Sequence, residues 1–211
     1  GPGYNVVIGG AAGDRVSAEG STLNDQAVVL GDNGQLTLDN AGVLLSLTSS
    51  DFESGDSDII TLSSGTNSVI GGVGADEITA GGGVNTVLGD DGQAEFFADG
   101  SIRLIESTNL GNGDDDVINL DDGTNTVIAG AGSDELKLGG GTNYVLADEG
   151  SLEVLTQDTV PTGTTVAQSL NPSIGGSDLI EIGPGYNVVI GGAAGDRVSV
   201  EGSNLNDQAV V

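Results

Sequence analysis

Residues 57–92 read SDIITLSSG TNSVIGGVG ADEITAGGG VNTVLGDDG, four nonapeptides in one register. Asp58, Asn67, Asp76 and Asn85 stand nine residues apart, and each is followed two residues on by an apolar β-former: Ile60, Val69, Ile78 and Val87. A short β-branched run closed by glycine is a strand followed by a turn. Nine residues therefore make half a coil, and eighteen make a full coil that sets Asp76 above Asp58. Residues 115–150, DDVINLDDG TNTVIAGAG SDELKLGGG TNYVLADEG, repeat the pattern on Asp116, Asn125, Asp134 and Asn143, and Asp178, Asn187 and Asp196 open a further copy. The expected fold is all-β: a parallel β-roll or β-solenoid of nonapeptide half-coils, interrupted by hairpin-like inserts.

Two longer periods enclose the short one. Residues 1–29 and 183–211 differ only at Ala18/Val200 and Thr22/Asn204, a separation of 182 residues. Asn5, Asn67, Asn125 and Asn187 recur at spacings of 62, 58 and 62, as do Asp14, Asp76, Asp134 and Asp196. Self-similarity on this scale marks solenoids and arrays. The sequence divides into units at 1–54, 55–112 and 113–174, with 175–211 starting the next 182-residue period of a longer array. Inserts break the nine-residue phase near 31–50, 89–107 and 148–172. Leu36–Leu38 and Val43–Leu47 read as strands in the first, Ala94–Phe97 and Ile102–Ile105 in the second, and Ser151–Leu155 in the third. Asp99-Gly100 is a hairpin turn signal. The inserts are read either as hairpins flanking the solenoid or as enlarged coils of it. Phe96 and Phe97 supply much of the aromatic mass, for local packing, for capping a coil or for meeting a neighbour.

Composition supports a thin core. There are 38 Gly, three Phe and three Tyr, and no Cys, Met, Trp or His. Interiors pack to near-crystalline density, so small branched side chains suit a core one side chain wide. Thirty-two acids oppose four bases, Arg15, Arg103, Lys137 and Arg197, for a net charge of −28. That balance excludes nucleic acid as a partner, since phosphate contacts need Lys and Arg. It also resists compaction unless cations neutralise it. No apolar run is long enough to span a membrane. Without Cys or His, thiolate sites and the commonest general base are absent; the close Asp pairs follow from the repeat rather than from a unique active site, and no catalysis is expected.

Gly71-Gly72-Val73-Gly74-Ala75-Asp76-Glu77-Ile78-Thr79 fits the nonapeptide G-G-x-G-x-D-x-U-x in full. Residues 129–137 depart only at Ala129, residues 111–118 resemble the G-N-D-D variants, and residues 9–17 carry Ala12 where the fourth Gly belongs. The chain thus resembles RTX (repeats-in-toxin) proteins over its nonapeptide tracts. The resemblance implies a calcium-binding parallel β-roll, exported (commonly through a type I system) and folding outside the cell.

Asp and Asn alternate along the tracts, so two nonapeptides per coil place them on opposite edges. The Asp edge holds Asp14, Asp58, Asp76, Asp116, Asp134, Asp178 and Asp196. Paired carboxylates with backbone carbonyls make a hard, all-oxygen site suited to Ca²⁺. Turn residues Gly72, Gly74 and Asp114 belong to the expected site. The Asn edge, Asn67, Asn85, Asn125 and Asn143, is expected either to bind Ca²⁺ weakly or to form amide ladders. The function expected is a calcium-stabilised structural repeat of a large secreted bacterial protein at the cell surface: an adhesin stalk, surface layer or fibre. Its partners are calcium, further copies of the repeat and, in a fibre, other chains. The alternative is a ligand-binding face for ice, glycan or a surface, suggested by Thr66, Thr124 and Thr142 beside the Asn edge.

Overall fold

The computed structural model describes residues 2–20, 22–155, 163–202 and 208–210. The rest of the third insert, 156–162, lies outside the described residues, as do 203–207 of the duplicated segment. The described residues form 21 strands and no helix.

Fifteen strands alternate between two parallel sheets, as a coiling chain requires. The first sheet stacks β1 (Tyr4–Ile8), β3 (Gln26–Leu30), β7 (Gly65–Ile70), β9 (Gly83–Leu88), β13 (Gly123–Ile128), β15 (Gly141–Leu146), β19 (Gly185–Ile190) and β21 (Gln208–Val210). The second stacks β2 (Arg15–Ala18), β6 (Ile59–Leu62), β8 (Glu77–Ala80), β12 (Val117–Leu120), β14 (Glu135–Leu138), β18 (Leu179–Ile182) and β20 (Arg197–Val200). Repeat partners lie directly in register: Ile60 on Ile78, Asn67 on Asn85, Val87 on Val127. Both sheets run through the unit boundaries at 54/55, 112/113 and 174/175 without a break.

The inserts are hairpins, and they are also enlargements of a coil. In a short coil the chain crosses from the first sheet to the second through Gly71–Asp76. In every second coil the same crossing, from Gly89 to Asp116, carries a hairpin. The hairpins are β4 (Gly34–Leu38) with β5 (Leu44–Ser49), β10 (Gly92–Phe96) with β11 (Ile102–Ser107), and β16 (Gly150–Leu155) with β17 (Thr164–Ser169). They also pair with one another, Leu47 beside Ala94 and Ile105 beside Leu152, into one antiparallel sheet of order β17-β16-β11-β10-β5-β4. Strand spacing explains the fit. Two coils rise by two strand spacings, about 9.6 Å, and one hairpin is two strands wide. Insertion at every second coil is the frequency that lets the hairpin sheet keep step with the coil.

The first sheet is the middle layer, which accounts for the unbroken burial of four successive residues in β7, β9 and β13, the polar Asn and Ser/Thr included. Successive side chains point to opposite faces. Val29, Val69, Val87, Val127 and Val145 face Ile60, Ile78, Ile118, Leu136 and Ile180 inside the coil. Leu30, Ile70, Leu88, Ile128 and Leu146 face Leu47, Ala94, Ile105, Leu152 and Phe96 of the hairpin sheet. Burying each such side chain contributes about 1.5–3 kcal/mol, and the hairpin layer adds a second, smaller apolar core to the first. Phe96 is therefore a core residue of the hairpin layer, and Phe97 is half-buried at its turn. The Asp99-Gly100 turn forms as expected, with Gly100 at φ 83° and the Asp99 carboxylate accepting from the Ser101 N–H at 3.0 Å.

Candidate metal centre

Each Asp of the expected edge stands just before a strand of the second sheet, at the end of the crossing, and the register stacks them in one file. The backbone N–H of each donates to Oδ1 of the next: Asp14 to Asp58 at 2.6 Å, Asp58 to Asp76 at 2.7 Å, and Asp76 to Asp116 at 2.8 Å. The file continues from Asp116 to Asp134 and Asp134 to Asp178, both at 2.8 Å, and from Asp178 to Asp196 at 3.2 Å. Oδ1 is thus satisfied. Oδ2 of Asp58, Asp76, Asp116, Asp134 and Asp178 is buried and has no partner. A buried polar atom without a partner costs about 1–3 kcal/mol, and more when charged.

Glycine lets the free oxygens of Asp58, Asp76 and Asp116 approach the backbone closely. A Cβ on Gly71 would strike Asp76 Oδ2 and the Gly89 carbonyl; on Gly89, Asp116 Oδ2 and the Ala129 carbonyl; on Gly31, Asp58 Oδ2 and the Gly71 carbonyl. A carboxylate oxygen and a carbonyl oxygen from different coils therefore flank the same small volume. Two such oxygens repel unless a proton or a cation compensates them. Ala129 and Ala147, fully buried, hold the equivalent places beside Asp134 and Asp178. Among the described residues, no three Asp, Glu, His or Cys side chains converge as a ready-formed metal cage; the oxygens pair carboxylate with carbonyl instead.

Burial dominates the electrostatics. It pushes the Asp58 carboxyl up to about 6, Asp134 and Asp178 to about 7, and Asp76 to about 8, with neighbouring carboxylates adding to the shift. Asp116 is raised well above the usual range by burial and by Asp76. Holding Asp76 protonated at pH 7, against 3.8 for a free carboxyl, costs the fold about 4 kcal/mol.

Of the other expected site residues, Gly72 and Gly74 adopt φ 116° and 111° in the tight crossing, as the motif requires. Asp14 and Asp196 are half-buried. Asp114 is exposed, and its charge acts on Asp76 and Asp116. The Asn edge forms a ladder. Asn67, Asn85, Asn125 and Asn143 each donate from Nδ2 to Oδ1 of the next Asn, at 2.7–2.8 Å, ending on Asn187. The same nitrogens donate to the carbonyls of Ser63, Gly81, Asp121 and Gly139. Of the two arrangements expected for this edge, the amides adopt the ladder. Thr66, Thr124 and Thr142 share a row with Gln26, Val84 and Tyr186, so hydroxyls do not run on uninterrupted.

The nine-residue register does not flag five further buried acids at the roots of the hairpins: Asp32, Asp90, Asp91, Asp148 and Glu149. Their signal is a spacing of 58 residues, hidden because each sits in a Gly/Asp-rich stretch that reads as a turn.

The fold and this file of carboxylates define a repeat-built, all-β coil with an acidic seam. The chain matches no known family model, no curated protein and no solved structure.

Proposed function

We propose that the chain is a calcium-stabilised structural repeat of a large secreted bacterial extracellular protein, extending by tandem units as an adhesin stalk, surface layer or fibre, without catalytic activity. The observation that carries this reading is the seam itself: buried carboxylate oxygens with no partner, those of Asp58, Asp76 and Asp116 each beside a carbonyl and a glycine. Calcium would be held by Asp58, Asp76 and Asp116 with the Gly71, Gly89 and Ala129 carbonyls, and would supply the charge compensation that this chain lacks. The likeness of residues 71–79 to the RTX nonapeptide supports the same ion, and with it export in an unfolded state and folding at the calcium level outside the cell. The near-identity of residues 1–29 and 183–211 supports an array, because stacked coils extend by addition of like units.

Circular dichroism of the chain in EGTA, then in millimolar calcium, tests the reading. The expected result is a disordered spectrum that turns to β structure on adding calcium. An unchanged β spectrum in EGTA at pH 8 sinks it.

A further inference from the structure

Residues 1–29 and 183–211 are one segment in two settings, differing only at Ala18/Val200 and Thr22/Asn204. Each copy is covered on one side. Strand β1 has only β3 beside it among the described residues, while β19, which repeats β1, lies between β15 and β21. Conversely, β3 lies between β1 and β7, while β21, which repeats β3, has only β19. In the second sheet β2 pairs with β6, and its repeat β20 pairs with β18. Burial follows the neighbours. Val6 and Ile8 are exposed where Val188 and Ile190 are half-buried, and Val198 is half-buried where Val16 is buried. One sequence thus forms the same strands whichever side is covered.

The hairpin sheet carries a second, independent mark. Each hairpin offers a serine to the next. Ser49 Oγ, at the end of β5, accepts from the Gly92 N–H at 2.9 Å, and Ser107 Oγ, at the end of β11, accepts from the Gly150 N–H at 3.2 Å. Ser169 ends β17 in the same way, on the open side of the sheet. Its Oγ is buried and has no partner, whereas buried hydroxyls are ordinarily hydrogen-bonded. At the opposite edge Gly34 opens β4 as Gly92 opens β10 and Gly150 opens β16. A pairing made twice inside the chain is left as a serine at one edge of the sheet and a glycine at the other.

We propose that copies of this chain join head to tail by segment exchange, residues 183–211 of one copy taking the place of residues 1–29 of the next. Strands β6 and β7 then receive the strands they already hold, and exchange of like elements is a low-cost route to assembly. Strand order selects exchange over simple stacking of the open edges. Inside the chain two first-sheet strands, β7 and β9, separate β5 from β10, and β13 and β15 separate β11 from β16. Exchange leaves two, β19 and β21, between β17 of one copy and β4 of the next. Stacking of intact edges leaves four, β19, β21, β1 and β3, and opens a gap of two strand spacings, about 9.6 Å, in the hairpin sheet. In the exchanged joint the Gly34 N–H meets Ser169 Oγ, and Gln35 lies opposite Gln168 as Gln93 lies opposite Thr48. The inference rests on the reading of the chain as a unit that extends by stacking, and not on the choice of ion.

The test is sedimentation velocity of the full chain, refolded from EGTA into calcium at rising protein concentration. The wild-type mass is expected to shift from one chain to two, three and more. The chain has no Cys, so introduced pairs report on the joint alone. Ser17 and Thr61 are exposed and opposite each other on β2 and β6; the Ser17→Cys/Thr61→Cys chain, oxidised while dilute, holds residues 1–29 in place and is expected to stay monomeric until reduced. Gln35 and Gln168 are exposed on opposite edge strands of the hairpin sheet. A disulfide needs Cα atoms about 4.4–6.8 Å apart, so Gln35→Cys/Gln168→Cys is expected to oxidise into a ladder of covalent oligomers through the joint. A wild-type chain that gains β structure in calcium yet stays monomeric at every concentration overturns the joint and leaves the proposed function standing. An oxidised Ser17→Cys/Thr61→Cys chain that assembles like wild type overturns exchange. If that variant does not fold, the second pair decides: assembly with no more cross-linking than Gln35→Cys and Gln168→Cys show singly overturns the joint. A wild-type chain that stays disordered in calcium overturns both readings.

Discussion

A carboxylate that is buried with one oxygen satisfied and the other free favours its proton, and on the proposed reading calcium takes the proton's place. Folding raises Asp58, Asp76, Asp134 and Asp178 to between about 6 and 8, against 3.8 in the unfolded chain. The calcium-free fold thus holds protons that the unfolded chain has already released. Its stability is fully present below about pH 4 and is lost as pH rises through the 6–8 window. Calcium should reverse the slope, since the ion replaces the proton. Thermal melts between pH 5 and 8 are expected to fall with pH in EGTA and to rise with pH in calcium; parallel slopes in the two media would contradict a metal-binding seam. A second residue shows the cost of leaving the motif. Ala194 stands where Gly74 and Gly132 stand in other crossings and is held at φ 62°. An L-residue in that region is strained by roughly 1–2 kcal/mol. Ala194→Gly is expected to stabilise the fold by about 1 kcal/mol, read from urea denaturation in calcium.

Among the elements, the two faces of the coil use opposite chemistry on one geometry. The Asn file closes on itself, amide to amide, and needs no ion. Replacing Asn125 by Ala strands the Nδ2–H of Asn85 and the Oδ1 of Asn143. Two buried orphans cost about 2–4 kcal/mol together, and the loss should be the same in calcium and in EGTA-buffered acid, whereas a change at Asp76 should depend on the metal. The strands of the coil were legible in the sequence because Asx and β-branched residues recur with period nine, and a period places every repeat by placing one. The hairpin strands were legible singly: Asp99-Gly100 gave the turn between β10 and β11. Their union into a third sheet was not. Leu47 meets Ala94 and Ile105 meets Leu152 across separations of 47 residues with no shared motif, and only the two-coil rise makes them neighbours. The Asp file was readable from spacing. The acids at 32, 90 and 148 were not, because an Asp just ahead of a Gly and a strand is turn chemistry in most proteins.

At the scale of the whole molecule, the three sheets stay in step because the hairpin sheet advances two strands for every two coils. Strands β1, β3, β7, β9, β13 and β15 precede β19, which repeats β1, so one 182-residue period contributes six strands to the first sheet. At about 4.8 Å per strand the period advances roughly 29 Å. Pulled straight, the same residues would span about 600 Å. The commensurate stack is therefore a poor way to gain reach and an effective way to store slack: roughly twenty times the folded length is wound into each period. A tandem chain stretched from its ends is expected to yield coil by coil, with longer increments from coils that carry a hairpin than from those that do not, and at forces that drop when EGTA is added. Single-molecule force spectroscopy reads both quantities. A tether built this way would meet a sudden load by paying out line rather than by breaking.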